Sequence, residues 1–191
     1  MVGASKGSAR GVGRAAMAAF ALLAAGLVYA PSAQAAACPS EAVGGSPVGW
    51  VEFDGKQVPI KPVTYPAGGT LAPPKSAKVA GVSKRHRPLL SKQGTTVLTW
   101  HVRYGQGCNG SLNALLDKPV GSTFTIKKRG GGTQVYQITD QTEVLKGRYQ
   151  PEWFRTQGSP QLSMFTCSDL RNGKFRKTTA LFAVPVDQVS A

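Results

Sequence analysis

Apolar and polar positions alternate over short stretches and are interrupted every few residues by Gly or Pro, and no long segment follows the 3.6-residue helical period. Residues 48–63 hold two apolar patches split by the turn dipeptide Asp54-Gly55, which predicts a hairpin. Pro66, Gly68, Gly69, Pro73 and Pro74 make 64–74 a loop. A basic segment at 84–88 ends on Pro88, and Lys92-Gln93-Gly94 turns the chain into a β-rich run over 95–102 that contains His101. Residues 111–116 have the spacing of one or two helical turns. The alternating runs 122–128 and 133–139 read as strands joined across 129–132, and 162–167 and 175–184 as two more. Short strands with turn signals between them predict an all-β barrel or sandwich.

The N-terminal region follows a different pattern. Lys6, Arg10 and Arg14 precede Ala15 to Ala30, a charge-free run, and Ala33-Gln34-Ala35 follows it. Basic, apolar and small-residue regions in that order mark an export signal. The run rises roughly 24 Å against a hydrocarbon core of about 30 Å, so a membrane anchor is the competing reading, with lipid attachment at Cys38 a third. Residues 1–37 are thus a signal peptide or N-terminal membrane anchor, 38–47 a lead-in, and 48–191 one domain with its own core. The formal charge of +14, from 23 Lys and Arg against 9 Asp and Glu, favours anionic surroundings. Export excludes nucleic acid and leaves acidic headgroups or anionic wall polymer.

Three cysteines in an exported chain make one pair and a free thiol, or three free thiols. The expectation is a Cys38–Cys108 disulfide, which leaves Cys167 free. A thiol attacks only as thiolate, so a catalytic Cys needs a nearby base or cation and partial exposure. Cys167 closes the apolar run 162–167, after which the chain turns polar. If the last two strands pair around a loop at 168–175, Cys167 and Arg176 fall opposite each other, with Cβ atoms about 5 Å apart. His101 also closes an apolar strand, ahead of a Gly-rich loop. The second histidine, His86, lies among Lys84, Arg85 and Arg87 and reads as a solvated loop residue.

These features resemble the sortase family of cysteine transpeptidases: an apolar strand ending in Thr166-Cys167, Arg176 nine residues on within the next strand, and His101 before a small-residue loop. The similarity runs from about residue 51 to 186 and is nearest the actinobacterial class F type, through Leu71-Ala72-Pro73-Pro74, the run into His101, the turn at 111–116 and the stretch 121–126. Trp100 stands where the family usually has Gly, and 83–91 is more basic than the family's counterpart. The resemblance implies an eight-stranded β-barrel with one or two short helices in its loops. It implies cleavage of an LPXTG-like signal between Thr and Gly, near the C-terminus of a secreted protein, and transfer to an amine of a peptidoglycan peptide or a protein lysine. Cys167 would be the nucleophile, His101 the proton donor and later base, and Arg176, with backbone N–H groups near Thr166, the oxyanion support. The expected protein is a monomer at the outer cell surface, with membrane contact through its N-terminal segment.

No cofactor or metal is expected, because two histidines and nine scattered acids supply neither an acidic cluster nor CxxC or HxxxH spacing, and Gly130-Gly131-Gly132 lacks the residues of a phosphate loop. An L,D-transpeptidase is disfavoured because its Ser-x-Gly-Cys-x-Arg signature is missing around Cys167. The rival from another class is a non-catalytic barrel that holds anionic polymer through Lys84, Arg85, Arg87, Lys127, Lys128 and Arg129.

Overall fold

In a computed structural model the chain is described at residue 38 and over residues 45–65, 71–105 and 107–189. The signal or anchor expected over 1–37, and most of the lead-in, lie outside the described residues. No described helix is long and apolar enough to cross a membrane.

Eight strands run in the order β1 (Gly49–Phe53), β2 (Lys56–Val63), β3 (Ala80–Ser83), β4 (Thr95–Thr99), β5 (Thr123–Lys128), β6 (Thr133–Leu145), β7 (Gln161–Arg171) and β8 (Lys174–Pro185). They close into a barrel in the spatial order β1-β2-β3-β4-β7-β8-β6-β5, so the expected eight-stranded architecture is the one observed. The β2–β3 and β4–β7 pairs are parallel and the rest antiparallel. Three 3-10 turns, at Asn113–Leu115, Pro151–Phe154 and Val186–Gln188, are the only helical elements among the described residues.

Local chemistry explains the corners. Asp54 and Gly55 both have positive φ and join β1 to β2 with Phe53 opposite Lys56, the two-residue turn whose twist suits a hairpin. Asn172 and Gly173 do the same between β7 and β8. The expected loop over 168–175 is therefore mostly strand: pairing continues to Arg171–Lys174. The four-residue strand β3 was not anticipated, since Ala80 to Ser83 is too short to show alternation.

Alternation gives the barrel an inside and an outside. Leu98, Trp100, Met164, Leu181 and Ala183 point inward with Val51, Ile60, Phe124 and Ile138. On the outer face of β4, β7 and β8, Val97, Phe165, Ala180 and Phe182 form a second apolar cluster with Trp153, against which Leu71, Tyr149 and Phe154 pack. The connection from β6 to β7 thus lies over one outer wall of the barrel. It makes a groove there.

Candidate active site

The groove is assembled by register. Thr99 is the last β4 residue paired with β7, opposite Phe165, and the Trp100 N–H extends the ladder by donating to the Phe165 carbonyl at 3.1 Å. The Thr166 hydroxyl then donates to the Trp100 carbonyl at 2.9 Å. One step further along both chains stand His101 and Cys167. Both residues directly follow the last cross-strand bonds of β4 and β7, so they stand at matching positions along the two chains. Cys167 is a free thiol and partly exposed.

Arg176 comes from β8, and its position differs from the expectation. Thr178, not Arg176, lies opposite Cys167, because the turn is only Asn172-Gly173 and the strands run further than the sequence suggests. Arg176 is two residues along on the same face, a diagonal neighbour within reach of a long side chain. Asp169, on the other arm of the hairpin, is ion-paired with Arg171 at 2.8 Å. The exposed Arg176 guanidinium makes no ion pair among the described residues.

His101 is held from several sides. It is half-buried, and burial pushes its pKa below the ordinary 6.5, opposed by a hydrogen bond to the Pro74 carbonyl. Its ring lies 4.7 Å from that of Tyr104. The loop after it folds straight back: Gly110 N–H donates to the Val102 carbonyl, and a Cβ on Gly110 would collide with the His101 carbonyl oxygen. Only glycine fits there. Asn113 accepts from the Trp100 indole N–H at 3.2 Å and donates to the Val102 carbonyl at 2.8 Å, clasping the residues on both sides of His101. Trp100, the departure from the family pattern, is 1% exposed and packs in the core. Cys38 and Cys108 are disulfide-bonded, Cα to Cα 5.5 Å, which fixes the far arm of this loop.

A cleft beside Cys167 is lined by Leu71, Pro73, Lys146, Tyr149, Phe165 and Thr178 among others, with Lys146 the charged group on its wall. Tyr65 is hydrogen-bonded to Thr99 at 2.9 Å, and burial pushes its pKa up to about 12, so it stays protonated at neutral pH. His86 lies elsewhere: its Nδ1 is 2.7 Å from the Ser83 hydroxyl and its ring 5.4 Å from Phe154. The described residues contain no cluster of His, Cys, Asp or Glu fit to hold a metal ion.

Sequence reasoning missed Pro74 as the partner of His101, Asn113 as the clasp, and Lys146, Tyr149 and Thr178 in the cleft. One signal was present. Counting back from Asn172-Gly173 as a two-residue turn puts Thr178 opposite Cys167 without a structure.

The closed barrel, with a groove on the outer wall of β4, β7 and β8, is the sortase fold. Among solved structures the chain is similar to sortase C1 of Group B Streptococcus pilus island 1, with a TM-score of 0.56 and 15% identity over 73% of this chain and 64% of that one. It is also similar to sortase C-1 from Actinomyces oris, with a TM-score of 0.57 and 18% identity over 74% and 75% of the two chains. Sortase C-3 from Streptococcus pneumoniae gives a TM-score of 0.57 and 14% identity over 74% and 63%. The chain thus spans just under two thirds of the first of these. No protein-family model and no curated protein sequence matches it.

Proposed function

We propose that the protein is a sortase-type cysteine transpeptidase of the class F kind, exported and acting at the outer cell surface as a monomer. What supports this reading is the parallel register of β4 and β7, which ends just before His101 and Cys167, with Arg176 two residues along β8 from Thr178, the partner of Cys167. The first 37 residues serve as signal or anchor. The substrate is a secreted protein with an LPXTG-like signal near its C-terminus.

In this mechanism the Cys167 thiolate attacks the Thr carbonyl carbon of the signal, and the oxyanion is held by Arg176 and backbone N–H groups near Thr166. His101, as imidazolium, gives its proton to the leaving amine as the C–N bond breaks, leaving a thioacyl enzyme. The neutral imidazole then takes a proton from the incoming amine, of a peptidoglycan peptide or a protein lysine. That amine forms the new amide, and the thiolate departs. The apolar wall of Leu71, Tyr149 and Phe165 would take the aliphatic side chains of the signal. The exposed Lys146 and Arg176 favour negative charge at the reacting centre.

The deciding experiment incubates the protein with a fluorogenic LPXTG peptide, with and without a glycine or diaminopimelate amine. Cleavage that Cys167→Ala abolishes, with an amide product in the amine arm, is the expected result. A folded Cys167→Ala variant that still cleaves would overturn the assignment. A wild-type thiol inert to both peptide and alkylating probe would move the barrel to the class of binding modules.

A further inference from the structure

The barrel end remote from Cys167 carries a groove of about 410 Å³, where the start of β1 meets the ends of β2, β3 and β5. Its wall is mainly apolar, made by Val48, Pro62, Val82 and Leu89 with the polar Ser83 and His86 among them, and its charged groups are Lys84 and Lys128, both exposed. No carboxylate lines it. Neither lysine has an ion pair among the described residues, whereas Lys127 is paired with Glu52 at 2.8 Å and Arg87 donates to the Thr156 carbonyl at 2.7 Å. Leu90, beside the wall residue Leu89, is held at φ 61, a strained conformation for a branched side chain that only a well-determined surrounding maintains. The groove's volume is in the range of small-molecule and lipid sites.

We propose that this groove binds an anionic phospholipid, with acyl chain along the Val48, Pro62, Val82 and Leu89 wall and phosphate at Lys84 and Lys128. The argument is complementarity of two kinds. Two uncompensated cations at the mouth attract a phosphate, and the apolar wall gains only if the same molecule covers it with hydrocarbon. A hydrophilic wall polymer would satisfy the lysines and leave the wall wet. The site lies at the opposite end of the barrel from Cys167 and does not rest on the catalytic reading. It gives the domain a membrane contact separate from the N-terminal segment.

The test titrates the full chain with monomeric dihexanoylphosphatidylglycerol, with dihexanoylphosphatidylcholine and glycerol phosphate as controls, in wild type and in K84Q/K128Q. The phosphatidylglycerol is expected to bind best and to bind about thirtyfold more weakly to the double variant, at roughly fivefold per charge. The rate of Cys167 alkylation should not change. Val48→Phe, which narrows the groove without altering charge, should weaken the lipid and spare glycerol phosphate. Equal affinity for phosphatidylcholine would reduce the groove to an apolar surface, and equal affinity for glycerol phosphate to a bare anion site. Unchanged lipid binding in K84Q/K128Q would place the lipid elsewhere on the chain. Each of these three results overturns the proposal.

Discussion

The Thr166 hydroxyl donates to the Trp100 carbonyl at 2.9 Å, and the two residues immediately precede Cys167 and His101. This buried hydrogen bond extends the β4–β7 register by one step, up to the residues that carry the thiol and the imidazole. Both partners are closed to solvent, Thr166 at 4% and Trp100 at 1% exposure, so water cannot substitute for either.

Thr166→Val keeps the shape and removes the donor. It leaves a buried carbonyl unsatisfied, at a cost of about 1–3 kcal/mol. Peptide cleavage should fall further than this stability loss accounts for at a temperature where the variant is fully folded, because the last cross-strand bond before His101 and Cys167 is lost. Thr166→Ser should retain most activity. Denaturant unfolding beside steady-state kinetics checks both, and a stable, fully active Thr166→Val would remove the residue from the positioning role.

Both histidines have pKa values below 6.5, chiefly through burial, aided at His86 by the Arg85 charge and opposed at His101 by the Pro74 carbonyl. The unfolded chain then binds more protons than the folded one once pH falls below about 6.5. Their stabilisation is complete above that pH and is lost as pH falls toward the folded pKa values. The carboxylates Glu52 and Glu143 are held below their ordinary 4.5 and do not titrate in the same window. The urea midpoint should decline between pH 7 and pH 5, and His86→Gln with His101→Gln should flatten the decline. A midpoint that is level or rises on acidification in the wild type contradicts this.

How far the fold could be read in advance follows from which signals are local. Asp54-Gly55 declares its hairpin, and the alternation in 122–128 and 133–139 declares β5 and β6, because a turn or a period-2 run is written in consecutive residues. The strand β3 pairs at both edges with partners distant in sequence, so its four residues carry no signal of their own. The neighbours of His101 are hidden for the same reason. Pro74 acts through a backbone carbonyl that any residue possesses, and Gly110 matters only because the chain returns onto His101. Arg176 was placed opposite Cys167 because residues 168–175 look polar, yet a polar run can be an exposed hairpin end. The dipeptide Asn172-Gly173 was the better guide.

The Cys38–Cys108 bridge closes a span of 70 residues, for which chain entropy predicts about 4 kcal/mol, an upper figure for a real disulfide. Within the loop that follows His101, Arg103 bridges Asn109 and the Tyr104 N–H donates to the Cys108 carbonyl at 2.9 Å, so the bond anchors the arm returning to Gly110. Reduction, with Cys167 blocked beforehand, should lower the unfolding free energy by about 2–4 kcal/mol. In a separate, unblocked sample, thiol counting should give one reactive group before reduction and three after it. Three free thiols in the unreduced protein would reject the pairing.

Arg176 separates mechanism from fold most cleanly. It sits diagonally from Cys167 across the β7–β8 pair, and Thr178 occupies the position directly opposite, so only a long side chain turned toward the thiol can serve the reacting centre. Asp169 is already taken by Arg171, which leaves the guanidinium uncommitted within the hairpin. On the proposed mechanism its donors would serve where negative charge develops, a role in which loss of one donor costs about 10²–10³ in rate. Lysine has similar reach and charge but lacks the planar fork that holds two donors in fixed relation. Arg176→Ala and Arg176→Lys should both lower turnover by about a hundredfold or more. The melting temperature should hardly move, since an exposed side chain contributes no core contact. The fall should appear in kcat at least as strongly as in KM, as expected when an interaction made in the transition state is removed. A fully active Arg176→Lys would show that charge alone suffices. An Arg176→Ala protein that keeps its turnover while melting early would return the residue to the structural framework of the hairpin.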